Sequence, residues 1–85
     1  PAPDPVRGPA RFAFALPVAG AMRLELFDLQ GRHVATLAEA VLPAGRHARA
    51  WDGRYDGGRS APAGGYLARL SGATGTATRR FVVLH

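Results

Sequence analysis

The sequence reads as an all-β domain, a small sandwich of antiparallel strands. Two observations carry that reading. Apolar and polar residues alternate with period two through most of the runs between turns, which is the pattern of strands with one buried face. Glycine, proline and aspartate interrupt those runs at spacings of about 10 to 12 residues, the punctuation of a sandwich or barrel. At 85 residues the chain makes one small domain with a thin core and is short for a closed barrel.

Taken in order, residues 1–9 (PAPDPVRGP) hold four of the seven prolines. Fixed φ angles and missing amide donors there predict an extended linker or lead-in, with the domain proper spanning 10–85. Arg11 to Leu16 places Phe12, Phe14 and Leu16 on one face. Ala21 to Asp28 sends Met22, Leu24 and Leu26 inward, Arg23 and Glu25 outward, and leaves Phe27 on the outer face. Asp28-Leu29-Gln30-Gly31 is a turn in which Gly31 supplies a positive φ. Arg32 to Leu37 returns antiparallel to the preceding strand.

Val34, Leu37, Ala38, Val41 and Leu42 have helical spacing, but the segment is short for a helix and its neighbours are all β. Strand over 34–37 and a connection over 38–45 is the expectation, with a short helix in 34–42 as the alternative. Pro43-Ala44-Gly45 turns the chain into Arg46 to Trp51, where His47, Arg49 and Trp51 share a face. A polar connection leads to Tyr66, Ala68 and Leu70. Gly72 to Gly75 makes a hairpin turn before the last strand, Thr76 to Leu84. Its apolar ending, Phe81-Val82-Val83-Leu84, suits a strand covered on both faces.

The net charge of +5 is carried by Arg alone. Lys, Ile, Asn and Cys are absent, a bias that follows GC-rich codons. The Arg residues are spread from Arg7 to Arg80 instead of gathered into one stripe, so no nucleic-acid partner is expected. Without Cys there is neither a disulfide nor a thiolate ligand. No apolar run approaches the ~20 residues that span a bilayer, so no membrane insertion is expected. The start at Pro1 suggests a segment or processed form of a longer chain.

Chemistry-bearing patterns are weak throughout. Asp52 to Gly58 has the acids and glycines of a calcium loop, yet Arg54 stands where a ligand should be and no Glu closes it; turn formation explains these residues better. The three His lack ligand spacing. Ser60 and Ser71 lie outside any nucleophile pattern. The glycine-rich segments lack a phosphate-loop ending. No enzyme, metal site or cofactor is therefore expected.

Ordered motifs say more. Leu26 to Leu37 (LFDLQGRHVATL) resembles the signature VYDxxGRxVxxL, and Leu42 to His47 resembles LPAGxH. Trp51-Asp52-Gly53 matches WDG, Pro62 to Tyr66 resembles xPxGxY, and Arg79 to Leu84 resembles a closing KxVVL strand. In this order and spacing the set resembles the Ig-like domain named for flagellar hook-capping proteins, the FlgD type. It is also similar to the C-terminal sorting domains of type IX secretion cargo. Two departures are Arg49, where the family has an apolar residue, and His85, where sorting domains carry Lys or Arg.

The resemblance implies an Ig-like β-sandwich of about seven antiparallel strands. It further implies a non-catalytic C-terminal module of a secreted or cell-surface bacterial protein, acting in assembly or attachment, with a filament subunit as one form. Its partners would be proteins: the parent chain, neighbouring subunits (homo-oligomers included) or secretion machinery. A secretion sorting signal is one alternative. Carbohydrate binding through Phe27, Tyr55 and Tyr66 is another. The motif residues Gly31, Arg32, Gly45, Trp51, Asp52, Gly53, Gly65 and Tyr66 are assigned structural roles. Phe27, Arg49, Arg54 and Tyr55 are the candidate contact surface.

Overall fold

A computed structural model of the chain describes residues 4–7 and 9–85. The described residues form seven strands: β1 (Asp4–Arg7), β2 (Ala10–Leu16), β3 (Gly20–Asp28), β4 (His33–Leu42), β5 (Gly45–Trp51), β6 (Gly64–Gly72) and β7 (Gly75–Leu84). Five make one sheet in the order β1-β7-β6-β3-β4, and β2-β5 make a second, two-stranded sheet. The small sheet lies over only part of the large one.

The predicted faces hold. Met22, Leu24 and Leu26 are buried on β3, Leu16 on β2, Trp51 on β5, Tyr66 on β6, and Phe81 with Val83 on β7. Two adjoining clusters make the core. One gathers Leu26, Val34, Ala35, Trp51, Ala61, Tyr66, Phe81 and Val83; the other gathers Leu16, Met22, Leu24 and Ala38. Trp51 is 2% exposed. It meets Phe81 edge to face at 5.9 Å, with Phe12 and Tyr66 each 6.4 Å away between ring centroids. Such aromatic pairs add ~0.5–1.5 kcal/mol beyond the area they bury.

Two expectations need correction. The Pro-rich segment is not wholly a lead-in, because Asp4–Arg7 joins the large sheet as β1. It runs parallel to β7, from Asp4 beside Phe81 to Arg7 beside Leu84, so the sandwich is not antiparallel throughout. Pro5 fits there because β1 is an edge strand, where a missing amide donor need not break a ladder. The prolines at positions 1 and 3 fall outside the described residues.

The second correction concerns residues 38–42, which continue β4 as strand instead of forming a connection or a helix. The register of β3 against β4 slips twice: Leu24 faces Ala38 but Glu25 faces Thr36, and Leu26 faces Ala35 but Phe27 faces His33. Leu37 and Val34 are the extra residues of two β-bulges. Each bulge shifts the side-chain alternation by one position. The result is paired inward positions, Val34-Ala35 and Leu37-Ala38, which imitate helical spacing.

Candidate functional site

The end of the sandwich beyond Trp51 concentrates the polar chemistry, and turn geometry accounts for it. Asp28 opens the β3–β4 turn. Its Oδ1 accepts the amides of Gln30 and Arg32, each at 2.9 Å, and its Oδ2 accepts Arg32 Nε at 2.8 Å. Gly31 closes the turn with φ +85°, a left-handed conformation that glycine adopts without a Cβ penalty. Burial would raise the Asp28 pKa, but the hydrogen bonds from Arg32 and Gln30 and the Arg32 charge outweigh it and hold the carboxyl below its ordinary value.

The Asp52–Ser60 loop is built around Trp51. The indole Nε1 donates to Arg54 O at 2.9 Å, and Asp52 Oδ1 accepts the Arg54 amide at 3.0 Å. Gly53, at φ +81°, makes the bend. Its carbonyl accepts the amide of buried Ala61, and Tyr55 N donates to Arg59 O. Arg54 Nη1 reaches Gly58 O at 2.9 Å, and the Arg59 guanidinium lies 4.3 Å above the Tyr55 ring. Asp56 pins the loop to the bulged edge of β4, donating its amide to Val34 O and accepting the Thr36 amide on Oδ2, both at 3.0 Å.

A metal reading of this loop finds little in the geometry. Asp52 bonds within the loop and Asp56 bonds across to β4. Among the described residues no three His, Cys, Asp or Glu side chains gather into a candidate metal site. His85 Nε2 sits 3.0 Å from Ala61 O and His47 Nε2 2.8 Å from Pro43 O, so each ring is engaged by a backbone carbonyl.

Tyr66 is 4% exposed, and its hydroxyl donates to Pro62 O, four residues upstream. A tyrosine at the start of a strand bonding back over its corner is the tyrosine corner of Ig-like sandwiches. Burial first, then the nearby Tyr55 and Asp28, raise the Tyr66 pKa, with Arg59 opposing. Gly65 is the motif glycine under close approach: an added Cβ would stand 2.8 Å from Leu29 Cδ1. Gly45, at φ +119°, carries the β4–β5 turn.

The four candidate contact residues are not brought together. Phe27 lies on the outer face of the large sheet, between the Arg69 guanidinium at 4.4 Å and the His33 ring at 5.7 Å. Arg49 lies on the inner row of the edge strand β5, opposite Phe12, and donates Nη1 to Ala48 O at 2.8 Å. Only Arg54 and Tyr55 share the loop. The ring cluster imagined for a sugar site loses Tyr66 to the core, while Arg69 and Arg59 cover Phe27 and Tyr55.

Sequence reasoning missed Asp28 as the hub of its turn, though an Asp four residues before an Arg, with Gly between, is a usable signal. It also missed the exposed inner row of β7, which no local pattern marks.

The family model of the FlgD Ig-like domain matches residues 7–76. No curated protein matches the chain. Among solved structures, FlgD from P. aeruginosa is similar, with a TM-score of 0.68 and 22% identity, over 87% of this chain and 60% of that one. FlgD from Xanthomonas campestris, described for hook capping in flagellar assembly, has a TM-score of 0.61 and 29% identity, over 88% of this chain and 57% of that one. The chain thus spans less than two thirds of either FlgD.

Proposed function

Because the chain belongs to the FlgD Ig-like domain family, we propose that it is a non-catalytic contact module of an exported bacterial protein, working in assembly at the cell surface. The observation that carries this reading is how the polar groups are used. Asp28, Asp52, Asp56, Trp51 and Tyr66 hold turns and corners, whereas a catalytic site needs acids and bases converging on a space for substrate. What the domain offers outward is shape, charge and strand edges, the means of protein–protein recognition. Hook capping by the Xanthomonas FlgD supports assembly over attachment.

The Asp52–Ser60 loop is the proposed contact, with exposed Arg54 and Arg59 presented on a fixed backbone. The test is Arg54→Glu with Arg59→Glu in the chain as its host makes it, read by electron microscopy of surface structures. Loss of assembly with unchanged circular dichroism is the expected outcome. Normal assembly would remove the loop from the contact.

A further inference from the structure

The sandwich is left open along one side. The inner row of β7 runs Ala77, Arg79, Phe81, Val83; Phe81 and Val83 are buried, but Ala77 and Arg79 are exposed although they point to the same side. Their partners on β6 are Leu70 and Ala68, both half-buried. On β2, Phe12 and Phe14 also face inward yet remain half-buried. Between these rows lies a hollow of about 290 Å³ bounded by Phe12, Phe14, Leu24, Leu70, Ala77 and Arg79. It shares Phe12, Ala13, Ala68 and Arg79 with a second hollow of about 550 Å³ toward β1. Toward the β6–β7 hairpin it shares Ala15, Leu70 and Ala77 with a third. Together they make one trough along the whole of β2, ~23 Å for its length of strand.

Two features of the trough select an occupant. One wall is the outer edge of β2, which no strand among the described residues pairs. A strand edge offers a row of backbone donors and acceptors that an extended chain matches. The other edge of the same sheet differs, since Arg49 on β5 turns its guanidinium onto that strand's own backbone. The second feature is charge. Arg79 stands in the inner row at the β1 end of the trough, and exposed Arg11 stands on the outward face of β2 at that edge.

We propose that the trough receives an extended peptide strand from a partner protein, with small apolar residues alternating with Asp or Glu, added to the outer edge of β2. On a strand paired with β2 the inward apolar side chains would cover Phe12, Phe14, Leu70 and Ala77, and the carboxylates, on the outward side, would meet Arg11. A second copy of this chain is a poorer occupant because each copy carries +5. This inference rests on the contact-module reading and names a partner for a face other than the Asp52–Ser60 loop.

The test titrates the isotope-labelled chain with the synthetic peptide Glu-Val-Glu-Ala-Glu-Val-Glu, with the same peptide carrying Lys for Glu, and with single-stranded oligothymidine. The Glu peptide should shift and protect the amides of Arg11, Ala13 and Ala15. Arg11→Glu, an exposed change that leaves the core intact, should weaken binding of the Glu peptide and reverse the preference between the Glu and Lys peptides. Ala77→Trp, filling the trough, should abolish binding while the thermal melt is unchanged. Equal binding of the Lys peptide or of oligothymidine, shifts confined to β4 or β5, self-association through β2, or no binding at millimolar peptide would each overturn the proposal. Assembly in the host separates the two readings. If Arg54→Glu with Arg59→Glu blocks assembly while the peptide leaves β2 untouched, only the strand proposal fails. If neither these changes nor Ala77→Trp affects assembly, the contact-module reading fails with it.

Discussion

Asp28 and Arg32 hold each other by three hydrogen bonds. Asp28 N donates to Arg32 O and Arg32 N to Asp28 Oδ1, both at 2.9 Å, while Arg32 Nε donates to Asp28 Oδ2 at 2.8 Å. The β3–β4 hairpin is therefore closed by backbone and side chain together. This gives the Gly-Arg of the family signature a physical reason.

The clamp makes stability depend on pH. The folded Asp28 carboxyl has a pKa below its ordinary value, so its contribution is complete above the unfolded carboxylate pKa of about 4. It is lost as pH falls through the lower, folded value. The urea midpoint of the native chain should fall as pH drops below about 4 and through the lower, folded value. Asp28→Asn should start lower and flatten that segment of the profile. An unchanged slope in the variant would show that other carboxylates carry the acid sensitivity.

Trp51 sits where the two sheets meet and fastens the following loop through Arg54 O. Trp51→Ala should cost ~3–5 kcal/mol, the range for truncating a core aromatic. That is a large part of the ~5–15 kcal/mol by which domains are stable. Trp51→Phe keeps much of the ring and removes the indole donor, so the loss should be smaller, and it should localise as faster amide exchange in 52–60. Denaturant melts of the two variants check the order.

Gly31 and Gly65 should respond differently to alanine. Gly31 has open space around it but a φ of +85°, so Gly31→Ala should cost ~1 kcal/mol through backbone strain. At Gly65 φ is unrestricted, and the nearest obstacle is the end of exposed Leu29, which can swing away. Gly65→Ala should cost less. Thermal melts ranking Gly65→Ala as the worse variant would mean that Leu29 is more firmly packed than its 46% exposure implies.

Asp56 joins the loop to β4 by its own amide and by the Thr36 amide. Asp56→Ala should speed hydrogen exchange at Thr36 and through 53–59 while leaving β6 and β7 unchanged. Exchange unaltered at Thr36 would show that the loop is held by the Trp51 and Ala61 contacts alone.

Period-two alternation made β2, β3, β5 and β6 legible in the sequence because each has one buried and one wet face. β4 was half legible. Its bulges at Val34 and Leu37 shift the phase twice, and that register belongs to the pairing with β3, not to β4 alone. β1 was hidden because its four residues gain their place from Phe81 to Leu84, each 77 positions further along the chain. At the candidate site, Arg54 and Tyr55 could be found from their loop. The open row at Ala77 and Arg79 could not, because exposure there follows from the narrowness of the β2–β5 sheet.

The most direct measurement of the central claim uses the host strain with the codons for residues 4–85 removed, counting surface appendages by electron microscopy. Loss of assembly, restored by the native sequence and not by a folded chain carrying Arg54→Glu and Arg59→Glu, is the expected result. Appendages at normal number and length without the domain would contradict an assembly role.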